Sequence, residues 1–490
     1  MSDLVLGNVR IPGDPAPVSV HISAGRVSRI GAGDESPDGA RLIDADGRYV
    51  IPGLWDEHVH MTQWALHANR INLSGAVTAQ GAAAVVRSLL PAADPADPAV
   101  TTVGVGFRDA LWPDAPSLAL LDSATGGQPT ALVSHDLHSV WLNSAAANRY
   151  GVQVEASGLL REGPAFALTR ELGRLPDSVL DGWVADAAHA AAARGVVGVM
   201  DFEMTWNRDP WLRRIAGGFD ALRVEAGVYP ADLGRAVAEG MRTGQEVDGG
   251  RRLLRVGPLK VLIDGSLNTR TAYCVDPYPF GGHGLLTVDP GELTALLERA
   301  RDTGFVPAVH AIGDAANQVA LDAFEGAGVG GRIEHAQFVR REDFARFGSL
   351  GVAASVQPVH ALDDRDAAES NWAGRTERAF PLRSLLDAGA SLLLGSDAPV
   401  APLEPWLAMS AAALRARGDG RGPWHPREAI TREQALTASA RGRSGVAVGH
   451  AADLVLLDGD PLAVPDEVFA AMPVAATLLG GRFTYDGGLA

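Results

Sequence analysis

Lysine occurs once in this chain. Every other member of the 42 Lys+Arg is arginine, and Lys260 stands in the apolar run Gly257-Pro258-Leu259-Lys260-Val261-Leu262-Ile263, which ends in Asp264-Gly265-Ser266. Arginine replaces lysine readily on a solvated surface, but a guanidinium stays charged and cannot stand in for an amine that must lose its proton. An amine near the end of a β-like run suits a Schiff-base nucleophile, a general base, or a carbamate formed with CO2 and used as a metal ligand. A salt-bridging surface survivor is the plain alternative. Ile51-Pro52-Gly53-Leu54-Trp55-Asp56-Glu57-His58-Val59-His60 adds a second signal. Residues two apart on a strand share a face, so His58 and His60 can meet one metal ion. Among 13 histidines one such pair is weak on its own. It gains weight because two more apolar runs end in His310 and His335, and another in Asp397.

These residues need a scaffold that brings distant strand ends together. Strand-length apolar runs lie near 53–60, 196–201, 222–229, 256–263, 305–310, 332–337, 352–357 and 391–396, with helical segments between them. Eight such runs predict an α/β fold of the (β/α)8 TIM-type barrel class, in which active sites gather at the C-terminal strand ends. Asp289-Pro290-Gly291-Glu292 and Thr431-Arg432-Glu433-Gln434 are helix-start signals. Short alternating strands at both ends predict a small β-sandwich domain built from residues 1–52 and 443–490, around a barrel domain of 53–442. The first and second barrel strands are too far apart for one crossover, so residues 61–180 are expected to form a large insertion at the barrel mouth.

Composition narrows the partners. A formal charge of −17 argues against nucleic acid or an anionic membrane, and no uncharged apolar stretch reaches the roughly 18 residues of a membrane span. With one cysteine, Cys274, and no basic, apolar leader at the start, the expectation is a cytoplasmic protein acting on a small molecule. A homodimer is left open.

The motifs together resemble the amidohydrolase superfamily, within it the branch of N-substituted formamide deformylase-like proteins. The matching pieces are IPGLWDEHVH (51–60), LKVLIDGSLNTRTA (259–272), VHAIGDAA (309–316), RIEHAQ (332–337), SVQPVH (355–360), LGSDAPV (394–400) and GHAADLVLLDGDPL (449–462), with DLHSVWLNS (136–144) in the insertion. The resemblance implies one metal on His58, His60 and Asp397, a second on His310 and His335, and a carbamylated Lys260 bridging them. Zinc is the expected metal, as one or two ions, since His58, His60, His310 and Asp397 alone would serve a one-metal enzyme. It further implies that metal-activated hydroxide attacks a carbonyl carbon while Asp397 moves the proton to a departing amine. Asp397, His335 and His360 are the catalytic candidates, His360 as a hydrogen-bond partner of substrate or oxyanion. His138, Asn143, Trp112 and Arg270 are the substrate-binding candidates, each with a packing or ion-pair role as the alternative. Glu57 departs from the pattern. Strand alternation turns it behind the strand, unless that strand is kinked. The implied reaction is hydrolysis of a non-peptide C–N bond. The alternatives are a deaminase of aminated heterocycles, a cyclic amide hydrolase, or a non-catalytic relative. Gly313 stands where deaminases carry Glu, which counts against the first of these.

Overall fold

The computed structural model describes residues 3–32, 39–90, 101–109, 112–134, 139–279 and 281–489. The chain opens with β1 (Leu4–Ile11), β2 (Asp14–Ser23), β3 (Arg26–Gly31), β4 (Arg41–Asp44) and β5 (Tyr49–Pro52), then enters the barrel with β6 (Leu54–Val59). The insertion carries β7 (Ile71–Asn72), β8 (Thr102–Phe107), β9 (Thr130–Ser134), β10 (Ser139–Leu142) and β11 (Leu159–Arg161). Seven further barrel strands follow: β12 (Val196–Asp201), β13 (Arg223–Val228), β14 (Leu254–Leu262), β15 (Pro307–Ala311), β16 (Gly331–His335), β17 (Val352–Val356) and β18 (Leu392–Leu394). The tail adds β19 (Leu454–Leu457), β20 (Val474–Leu479) and β21 (Arg482–Asp486). Two compact units result, Met1–Met61 with Ala188–Ala490, and Thr62–Ala187.

In the first unit, β6 and β12 to β18 form one parallel sheet in sequence order. These strands are buried on both faces, so they read as near-continuous apolar runs rather than as alternation. Helices cover the outside. The helix Pro290–Thr303 is typical: Asp289 caps it by accepting from Gly291 N and Glu292 N, and it buries Leu293, Leu297 and Ala300. Each leucine so buried contributes about 1.5–3 kcal/mol. Gly304, at φ +82°, ends it in the left-handed conformation that favours glycine.

The barrel closes between its last and first strands without a regular ladder. Asp397 N donates to His58 O at 2.6 Å, and His60 N donates to Ala398 O at 2.9 Å. Gly395 permits this approach, since a Cβ there would lie 2.6 Å from His58 N. The same first strand is bulged. Against β12 its register runs Gly198 with Trp55 and Val199 with Asp56, then skips to Asp201 with Val59. Alternation breaks inside that skip, so Glu57 does not turn behind the strand. Its carboxylate lies in the barrel interior, 2.8 Å from Arg332 Nη1.

Strands from both termini form a second sheet of this unit, ordered β21-β20-β19-β5-β1-β2-β3 with β4 added on β1. Its two halves share one core, including Leu6, Val20, Ile22, Ile43, Leu454 and Leu478.

The unit Thr62–Ala187 has a sheet ordered β11-β10-β9-β8-β7. Along β9 the period of two sorts side chains to opposite faces: Leu132 packs with Phe107, Leu121 and Trp141, while Ala131 and Val133 pack with Leu142 and Leu168.

Candidate metal centre

Three of the expected ligands come from the barrel's closing seam. His58 and His60 lie at the end of β6, and Asp397 follows β18 in a left-handed conformation, φ +58°. Asp397 Oδ1 is 3.5 Å from His58 Nε2 and 3.5 Å from His60 Nε2. Lys260, on β14, places Nζ 3.5 Å from His58 Nε2 and 4.4 Å from the centroid of the Phe202 ring.

Donor atoms of His58, His60 and Asp397 all lie within 4.8 Å of one another, and so do those of His335, His360 and Asp397. The second group differs from the expected pairing of His335 with His310. His310 does touch His335, ring centroids 4.4 Å apart, yet it belongs to neither donor group. Its Nε2 faces Asp264 Oδ1 at 3.4 Å and Gly265 O at 3.5 Å. Asp264 is itself fixed by the backbone N–H groups of Ile312, Gly313 and Tyr273. A ligand role for His310 therefore falls to Nδ1.

His335 reaches the site by breaking the strand rule. Arg332 pairs across the sheet with Ala308, and Glu334 with His310, so the next side chain on a regular strand would face out. Positive φ at His335 (76°) and Ala336 (43°) turns the chain instead. The His335 ring lies 5.0 Å from that of His58. His360 is in the first turn of the helix Pro358–Asp363, with Nδ1 3.4 Å from Gln337 Nε2.

Burial would raise the Asp397 carboxyl, but the His58, His60 and His360 imidazoles overcome that and hold it well below the usual carboxylate range. Burial, helped by the Lys260 charge, pushes His58 down to about 4. His335 is likewise held well below the ordinary imidazole value by burial and by its charged neighbours. Lys260 is pushed down to about 8, burial outweighing the attraction of Glu334 and Asp397. Neutral His58 and His335 beside an ionised Asp397 are in the protonation states a metal ion requires. His60 runs the other way: against the pull of burial, the Asp397, Glu203 and Asp201 carboxylates raise it above the ordinary imidazole value. The donor set also fits a metal ion chemically. His335 Nδ1 and His360 Nε2 are buried without a hydrogen-bond partner, a costly arrangement unless something else occupies the space they face. The mix of imidazole nitrogen and carboxylate oxygen suits a divalent metal ion.

The other predicted residues scatter. His138 lies outside the described residues. Asn143 is buried and caps the helix Ser144–Tyr150: Oδ1 accepts from Ala146 N and Thr130 N, and Nδ2 donates to Thr125 Oγ1 and Gln128 O. Its amide has no capacity left for a substrate, which corrects the substrate-binding expectation. Trp112 donates Nε1–H to Ala76 O and packs on Phe107 within the insertion's own core. Arg270 is exposed, in the loop after β14 at φ +56°.

Glu334, Arg332 and Gln337 carry no predicted role. A signal was present in Arg332-Ile333-Glu334, opposite charges two apart in an otherwise apolar strand run, which puts an ion pair on one buried face.

Such a barrel, with imidazoles, one carboxylate and one lysine at its strand ends, defines a hydrolase class. The chain belongs to the amidohydrolase family, whose model matches residues 41–485. The Arabidopsis thaliana protein LONG AFTER FAR-RED 3 is 27% identical over 520 residues, covering 95% of this chain and 88% of its own. The N-substituted formamide deformylase of Arthrobacter pascens is 25% identical over 525 residues, covering 96% and 95%. Among solved structures, an uncharacterized metal-dependent hydrolase from Pyrococcus furiosus superposes with a TM-score of 0.77 at 25% identity, over 94% of this chain and 100% of its own. No helix among the described residues is long and apolar enough to cross a membrane.

Proposed function

We propose that the protein is a zinc-dependent amidohydrolase that cleaves a non-peptide C–N bond in a small linear amide, of the N-substituted formamide type. The observation that carries this reading is the convergence of His58, His60, His335 and His360 on the ionised Asp397, with Lys260 beside them. Full-length similarity to a formamide deformylase supports the substrate class.

His58, His60, Asp397, His335 and Lys260 would hold the ion or ions, with His310 joining through Nδ1. A bound divalent cation supplies Lewis acidity and makes water acidic near neutral pH. Asp397 is placed to take a proton from attacking water and return it to the departing amine nitrogen, a general base that becomes a general acid. His360 Nε2, buried and unpaired in the protein, is placed to hydrogen-bond the carbonyl oxygen as charge builds on it. Lys260 is the proposed carbamate: its neutral amine adds CO2 with loss of one proton, and the resulting carboxylate joins the donor set. Arginine cannot do this.

A hydrolysis screen of zinc- and bicarbonate-treated protein tests the reading. It compares N-formyl amines, simple amides, cyclic amides and aminated heterocycles. Release of amine and formate from the N-formyl amines is the expected result. Turnover confined to cyclic amides or heterocycles would replace the substrate class, and no metal uptake at all would favour a non-catalytic relative.

A further inference from the structure

A connected chain of buried charges adjoins the donor cluster. His58 Nδ1 lies 2.8 Å from Glu334 Oε2. Arg332 donates Nε–H to the other oxygen, Glu334 Oε1, at 2.5 Å, and turns its remaining N–H groups to Glu57 Oε2 (2.8 Å), Glu57 O (2.7 Å) and Ser355 Oγ (2.7 Å). Glu57 in turn accepts from Arg441 Nε at 2.5 Å, and Arg441 also bonds Glu225 and stacks 3.4 Å from the Trp55 ring centroid. Glu334 is fully buried and Glu57 is 1% exposed. A hydrophobic filling of similar volume is often as stable as a buried ion-pair chain, so stability alone does not account for this one.

We propose that Glu334 is the positioning residue for His58, fixing it as the Nδ1–H tautomer so that Nε2 is offered to a cation, and that Arg332, Glu57 and Arg441 hold Glu334 in register. The proposal rests on the metal-centre reading above. An ionised carboxylate can only accept, so the nitrogen facing Glu334 must carry the proton and the other must carry the lone pair. The bulge at Glu57 has a purpose in this scheme, because it brings Glu57 and His58 of one strand onto the same buried face.

The arrangement makes Glu334→Gln more than a loss of charge. Arg332 Nε–H demands the amide oxygen, which leaves the NH2 group facing His58 Nδ1. That nitrogen must then accept, its proton moves to Nε2, and the ligating position is blocked. Competition of the full chain against a chromophoric chelator for Zn2+ is the test. Glu334→Gln is expected to lower affinity about 10–100-fold. Arg441→Gln, at the far end of the chain of charges and touching no donor atom, is expected to lower it by a smaller but measurable factor. Wild-type affinity in a folded Glu334→Gln protein would overturn the proposal. Should that variant fail to fold by circular dichroism, 15N-histidine spectra of the metal-free wild type decide. The signal missing from His58→Gln is expected to report protonated Nδ1, and protonated Nε2 would overturn the assignment. Failure of the wild type to bind Zn2+ would instead sink the metal-centre reading.

Discussion

The backbone N–H of Asp397 donates to the carbonyl of His58 at 2.6 Å, while the Asp397 carboxylate lies 3.5 Å from the same histidine's Nε2. One pair of residues thus closes the barrel and brackets the proposed ion. Because the seam and the site coincide, ligand spacing is set by backbone geometry rather than by long side chains. This is the kind of rigid support a hydrolytic site needs.

Lys260→Arg is expected to abolish hydrolysis and to lose at least one metal equivalent, measured by elemental analysis of purified protein. The guanidinium preserves charge but cannot form a carbamate. An arginine variant with full activity and full metal content would remove the carbamate from the mechanism.

Activation of metal-free protein by zinc, with dissolved CO2 held constant by a fixed CO2 pressure, is expected to quicken as pH rises from 7 to 9. Lys260 is pushed down to about 8. With that value its amine is about one-tenth neutral at pH 7 and about nine-tenths neutral at pH 9, whereas an ordinary lysine is still mostly charged at pH 9. The sign follows from the amine: only the neutral form adds CO2. An activation rate that is flat or falls over this range would contradict the assignment.

Asp397→Asn is expected to cost about 10²–10⁴-fold in turnover, the usual worth of a positioned acid–base group. The amide removes the proton carrier while keeping the shape. A loss of less than about tenfold would assign the proton transfer elsewhere.

Asn143→Ala is expected to lower stability by about 2 kcal/mol, from a lost helix cap and stranded buried partners, in a urea or thermal unfolding transition. The substrate profile should be unchanged. An unaltered unfolding transition with a changed profile would return Asn143 to the substrate site.

Much of the barrel was legible because doubly buried parallel strands are written as continuous apolar runs, and all eight predicted runs coincide with strands that end within a few residues of the expected positions. Lys260 stood out by chemistry, in a chain where arginine serves for every other basic residue. What periodicity could not supply were the exceptions to it. The bulge at Glu57 and the positive φ at His335 change which way a side chain faces, and both are backbone events with no compositional mark. Asn143 was misread for a related reason. A buried asparagine looks the same in sequence whether its amide faces a substrate or a helix terminus.

Anomalous diffraction at the zinc edge, from crystals grown with Zn2+ and bicarbonate, would read the metal centre itself. At least one zinc peak is expected, bounded by His58, His60 and Asp397, with electron density extending from Lys260 Nζ toward it. No peak there, with Lys260 unmodified and the imidazoles hydrogen-bonded among themselves, would contradict the proposed metal centre.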